Sequence, residues 1–223
     1  MRSPLDPDDL LLAAGLAAEC LSAAAEADWE VPTGSLSWSC HSTLDHTVDT
    51  LLWYSVQLAT EARRTFPSPR RGDPAGKVPF LLTTLRSSAT ILAAVVRAAG
   101  PTVRAFHPAG MADAEGFTAM GCDEILVHAG DIALGLGISF EPPSDLCSAV
   151  LARLFPWAPA DDDPFAELLW ANGRVALADR PRLAPDWSWQ CAPLDEWDGT
   201  IPRYCPSRPV QISGAQTRTQ SSA

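Results

Sequence analysis

The sequence predicts a mainly α-helical protein: a four-helix bundle followed by a short irregular C-terminal extension. Two observations predict it. Four long segments carry apolar residues at helical spacing and are punctuated by helix-start and helix-stop residues, and no strand signal of comparable strength accompanies them.

The elements follow in order. Asp6-Pro7 supplies an N-cap and a first-turn proline, opening an alanine-rich helix to about residue 27. Residues 29–42 form a loop with proline, glycine and serine. A second helix is expected from Ser42, with Asp45 at capping-box spacing, to about residue 64. Residues 67–79, rich in proline, glycine and charge, make a surface connection. The third helix covers roughly residues 80–99 and stops at Gly100-Pro101. Residues 102–113 are expected to be a loop. The fourth helix, residues 114–136, ends at Gly137 ahead of Pro142 and Pro143. Short helices fit residues 144–155 and 164–172. Three regions result: a helical bundle over 1–155, an extension rich in tryptophan and proline over 156–212 that packs across it, and a polar, disordered tail over 213–223.

Composition narrows the function. Hydrophobic residues make up 47% of the 223, enough for a sizeable core. A net charge of −11 argues against nucleic acid or an anionic membrane as partner. No apolar stretch runs uninterrupted for the length of a bilayer; the richest, residues 89–99, is broken by Arg97 and reads as a core helix. Asp6, Asp8 and Asp9 stand where an export signal carries positive charge, so a cytoplasmic location is expected. The six cysteines show no Cys-x-x-Cys pair and are read as reduced, with no structural zinc knuckle.

The chemistry concentrates in the fourth helix. At ~100° per residue, Glu124, His128 and Asp131 fall on one stripe, between Val127 and Leu134 on one side and Ile125 and Ile132 on the other. A carboxylate and an imidazole pointing into a bundle need partners. They can satisfy each other, or both can hold one metal ion. Spacing leaves both readings open. A third donor would decide, and His46 is the helical candidate, on a stripe with Asp49, Thr50 and Trp53. By itself His46 also reads as a boundary histidine with an ordinary hydrogen bond. His41 and His107 read as loop residues.

The run from Trp29 through Pro32 and Trp38 to His46 resembles the opening signature of the DinB-like, mycothiol-dependent maleylpyruvate isomerase family. In that signature a tryptophan precedes a metal-binding histidine by eight residues, as Trp38 precedes His46. Glu124 and His128 match the family's second signature, and Asp131 often accompanies it. Leu168-Leu-Trp-Ala-Asn-Gly-Arg174 and Trp187-Ser-Trp189 are also similar to members of this group, so the resemblance covers most of the chain. Two departures touch no metal ligand: Ser35-Leu-Ser-Trp38 replaces Cys-Pro-Gly-Trp, and Ser42 replaces an acidic cap.

The resemblance implies a divalent metal held by His46, Glu124 and His128, with zinc favoured and nickel or iron compatible. It also implies an enzyme in which that metal activates the thiol of mycothiol toward a small electrophile, as isomerase or S-transferase. Three protein ligands leave a position open for water or substrate, the catalytic pattern. A zinc hydrolase and a non-catalytic small-ligand-binding bundle are the alternatives. Arg86 can neutralise a substrate carboxylate or simply be solvated. Arg174 can bind an anionic part of a ligand or cap a helix end. Trp157, Trp170, Trp187, Trp189 and Trp197 line a pocket or pack in the core, and Cys40 reads as a small buried group rather than a metal neighbour.

Overall fold

The computed structural model describes residues 4–34, 36–159 and 162–203; the predicted tail, Cys205 and Ser35 lie outside them. Six helices and one small hairpin make up the described architecture: α1 (Pro7–Ser22), α2 (Cys40–Ala59), α3 (Val78–Ala98), β1 (Ala105–His107), β2 (Gly110–Ala112), α4 (Ala114–Leu136), α5 (Ser144–Leu154) and α6 (Pro164–Ala171). The first four helices form the bundle, and α5 and α6 pack on each other beside α4.

Helix α1 starts as its sequence dictates. Asp6 accepts from the Asp8 amide at 2.7 Å, and Asp9 accepts from the Asp6 amide at 2.8 Å. It stops at Ser22, short of residue 27, because the chain tightens into i−3 turns and the Trp29 indole takes the Ala24 carbonyl at 2.9 Å.

Helix α2 begins earlier than expected. Ser39, not Ser42, is its cap, accepting from the Ser42 amide at 3.2 Å. The preceding loop folds back so that Val31 and Trp29 carbonyls receive the Cys40 and His41 amides. Those long-range bonds satisfy the first turn without a local motif. Helix α2 ends at Ala59, before residue 64, where Glu61 takes a positive φ of 47° and the Ala62 amide bonds the Gln57 carbonyl. Buried Gln57 then receives the Phe66 amide and donates to the Phe106 carbonyl, each at 2.8 Å.

Helix α3 corrects the membrane reading in one respect. By length and composition alone it is apolar enough to cross a bilayer. In the bundle it packs against α1 and α2 and buries Leu81, Leu85 and Leu92. The stretch 102–113 is not a plain loop: β1 and β2 pair antiparallel with Phe106 opposite Met111. Three-residue strands are too short to show a period-2 pattern, and Phe106 is docked by its amide on the Ala62 carbonyl at 2.7 Å.

Helix α4 is the central element, capped by Asp113 and closed by Gly137 at φ 68°. It is buried on nearly every side, so its apolar face is wider than a stripe. Leu134, expected to flank the site from the core side, is instead 68% exposed. Gly121 allows close approach of α1 and α3: a Cβ there would stand 2.6 Å from Leu10 and 3.0 Å from Leu92. The C-terminal segment is fastened to the bundle by Arg153, which is fully buried. Its guanidinium bonds Asp113 at 2.6 Å and the carbonyls of Gln190 and Cys191 at 2.9 and 3.2 Å.

Candidate metal centre

His46 sits in the second turn of α2; Glu124 and His128, one turn apart, face it from the middle of α4. The His128 Nε2 lies 3.1 Å from the Glu124 carboxylate, and the His46 Nε2 lies 4.0 Å from the same oxygen. The three donor atoms are all within 4.8 Å of one another. Two atoms bound to one zinc ion at ~2.1 Å with tetrahedral angles stand about 3.4 Å apart. The observed pairs with Glu124 straddle that value, and two imidazoles with one carboxylate are a donor set that divalent zinc accepts. The residues fit a metal.

The surroundings separate the protonation of the two histidines. Burial favours the neutral form of both. For His46 it prevails over nearby Glu124, and the pKa is lowered. For His128, hydrogen bonds to Asp131 and Glu124 outweigh burial and raise it to about 9. Burial alone would raise the Glu124 carboxyl, but the His128 bond and charge bring it down to about 2. Without a metal, then, Glu124 and His128 form an ion pair at neutral pH, and His46 is neutral beside it.

Further side chains hold the donors in place. The Tyr54 hydroxyl donates to the second Glu124 oxygen at 3.3 Å. Asp131 Oδ2 lies 3.3 Å from His128 Nδ1, leaving Nε2 for the site, and accepts from Arg174 Nε at 2.9 Å. Thr50 Oγ1 is 3.3 Å from His46 Nε2, and the Trp38 ring stands edge-on to the His46 ring at 4.9 Å. Next along α4, burial raises the Asp123 carboxyl to about 7, though Asn172 donates to it at 2.8 Å. Replacing Asp131 by Asn is expected to weaken metal binding by roughly 10- to 100-fold while leaving helicity unchanged. Competition with a chromophoric chelator measures this; unchanged affinity would remove Asp131 from the support of His128.

Arg174 therefore reaches the group around the donors, through Asp131, and also lines a cavity of about 630 Å³ with Arg182, Leu183 and Trp187. Arg86 is not brought to the centre. It is exposed on the α1–α3 face and donates to the Gly15 carbonyl at 3.2 Å. Trp170 packs under the Arg180 guanidinium and against Trp157, and Trp197 bonds the Thr200 carbonyl. Trp187 and Trp189 lie ring against ring at 6.0 Å. Cys40 is buried, donates to the Ile132 carbonyl, and burial pushes its thiol up to about 11.

Four residues on α2 or packed against it were not singled out from sequence. Tyr54 comes eight residues after His46, on the flank between its stripe and the apolar one, and that position was its available signal. His41 is helical, not in a loop, and donates to the Gly76 carbonyl at 2.7 Å, pinning the α2–α3 connection. Arg70 binds Asp45 and Asp49 on the same helix. His107, also expected in a loop, is buried on β1.

Comparison with known proteins gives a consistent result. Residues 10–133, which contain all three donors, match the family model of the mycothiol maleylpyruvate isomerase N-terminal domain. The crystal structure of the mycothiol-dependent maleylpyruvate isomerase shares the fold, with a TM-score of 0.52 and 17% sequence identity over 79% of this chain and 92% of that one. No curated protein matches the chain significantly.

Proposed function

The chain belongs to the mycothiol maleylpyruvate isomerase N-terminal domain family, and on that premise we propose that it is a metal-dependent enzyme using mycothiol as cosubstrate. It isomerises a double bond of a small electrophile by thiol addition and elimination, or transfers the thiol to that electrophile. The observation that carries the reading is the donor set of His46, Glu124 and His128, which leaves a coordination position for an exogenous ligand. Zinc suits these donors best; nickel or iron keeps the same residues. When bound there, a divalent ion supplies Lewis acidity that lowers the pKa of a thiol, so that it reacts as thiolate.

The protein's own part is orientation and exclusion of water. Tyr54 fixes the Glu124 carboxylate, Asp131 fixes the His128 ring, and Arg174 neutralises Asp131. The Trp38 ring stands edge-on to that of His46, whose side chain keeps 28% of its surface exposed. Through the cavity it lines, Arg174 also presents positive charge to an anionic part of the thiol or substrate. Arg86 takes no part. The proposed setting is the cytoplasm, where the five described free cysteines stay reduced.

Calorimetric titration of the zinc-loaded protein with mycothiol, in buffers of different ionisation enthalpy, tests the proposal. Binding is expected with release of the thiol proton, and maleylpyruvate is expected to isomerise only when mycothiol is present. Absence of binding at millimolar thiol would move the reading to a hydrolase or a ligand-binding bundle.

A further inference from the structure

The hairpin between α3 and α4 carries a third imidazole against Tyr54, the residue that bonds Glu124. His107, at the end of β1, is 8% exposed. Its ring lies against Tyr54 at 5.5 Å, Trp53 at 5.8 Å and Trp189 at 5.4 Å. Tyr54 is the residue whose hydroxyl holds Glu124, and Trp53 lies two turns along α2 from His46. His107 is thus one ring away from a metal donor, near enough for the Glu124 charge to act on it.

The tautomer is set by the hairpin itself. His107 Nδ1 accepts the Ala109 amide at 3.1 Å, so the ring proton of the neutral imidazole resides on Nε2. That Nε2–H makes no hydrogen bond among the described residues, and the atom keeps accessible surface although most of the ring is covered. Burial lowers the His107 pKa to about 4 against a smaller opposing pull from Glu124, so the ring stays a neutral donor at working pH. A neutral N–H that no protein group occupies is free to donate to the oxygen of a ligand.

We infer that His107 is a catalytic residue whose Nε2–H donates to a carbonyl or carboxylate oxygen conjugated to the double bond of the electrophile. The inference rests on the proposed thiol-addition chemistry and assigns its charge stabilisation to a named atom. When the thiolate sulfur bonds one alkene carbon, the π pair moves to the conjugated oxygen, which becomes an enolate. His107 holds that charge by hydrogen bonding and gives up no proton. After rotation about the C–C single bond, the pair returns, the C–S bond breaks and the thiolate leaves. Nothing is oxidised or reduced, and no proton is consumed.

The test uses fumarate, an unsaturated dicarboxylate, as probe of the zinc-loaded full chain. Parent, His107→Phe and His107→Gln proteins are compared by calorimetry, with zinc content and circular dichroism as controls. The Phe variant is expected to bind fumarate roughly tenfold more weakly, and the Gln variant, which keeps a donor near Nε2, within a few-fold of the parent. In the parent, the His107 Nε2 nitrogen resonance is expected to shift as fumarate is added, a readout that needs no variant to fold. With maleylpyruvate and mycothiol, the Phe variant should lose about 100-fold in kcat, the scale of one lost oxyanion donor. Equal fumarate affinity in all three proteins, equal loss in both variants, an unmoved resonance, or no binding by the parent at millimolar fumarate would each overturn the assignment. A parent that shows the fumarate contrast but no thiol-dependent turnover would instead sink the proposed function and leave His107 as an acid-binding residue.

Discussion

Protein purified without added metal or a metal-affinity tag is expected to hold about one divalent ion per chain, and His46→Ala or Glu124→Ala to hold almost none. Each of the three donors supplies a third of the protein's coordination, so its loss should exceed the 10- to 100-fold cost of removing a supporting residue. Glu124→Ala has a second consequence, because it also leaves the buried Tyr54 hydroxyl and the protonated His128 without their shared partner. Chelation should act differently. The Glu124–His128 pair at 3.1 Å remains when the ion leaves, and the leucine-rich core around α4 does not depend on it. The melting temperature should therefore fall while helicity persists, and all thiol-dependent activity should disappear. Elemental analysis and circular dichroism before and after chelation measure both effects. Alanine variants that keep the parent's metal would place the ion elsewhere, and collapse of the helical signal on chelation would make it part of the fold.

Metal affinity is expected to climb about 100-fold between pH 7 and pH 9 and then level off. The sign follows from the free protein. At pH 7 Glu124 is ionised and His46 neutral, both ready to coordinate, whereas His128 holds a proton up to about 9. Binding must expel that proton, so each pH unit below 9 costs about tenfold. The bonds to Asp131 and Glu124 set this barrier, opposed by burial and by the Arg174 charge. The same shift makes the metal-free protein pH-sensitive. A histidine whose pKa is raised on folding stabilises fully below its unfolded value near 6.5, and that stabilisation is lost as pH rises toward 9. The metal-free melting temperature should decline across this window, and that of the loaded protein should decline less. Competition titrations at a series of pH values, with proton release followed calorimetrically, give the slope. A flat profile would mean that His128 is already neutral in the free protein.

Much of the bundle and part of the centre could be read from neighbouring residues, since helical spacing and caps act over a few positions. Asp6-Pro7 and Gly137 mark helix ends by local geometry, and the fourth helix has the limits its sequence predicted. Glu124 and His128 share a face because four residues make one turn. His46 was a different case: its own surroundings left an ordinary histidine possible, and the spacing from Trp38, through family resemblance, singled it out. Helix ends were misplaced where groups outside the helix set them: the Trp29 indole beyond Ser22, and the Val31 and Trp29 carbonyls at Cys40.

By itself, then, the sequence determined the helical elements, their amphipathic faces and the pairing of Glu124 with His128 on one turn. Only the tertiary structure decided how far apart the donors stand, which depends on the distance between α2 and α4. It also decided that Tyr54 meets Glu124 across 70 positions, that Arg174 meets Asp131 across 43, and that a hairpin puts His107 beside them. No local period relates residues that far apart. Such contacts exist only after helices have closed on one another, where burial leaves polar groups no water and makes them find partners in space.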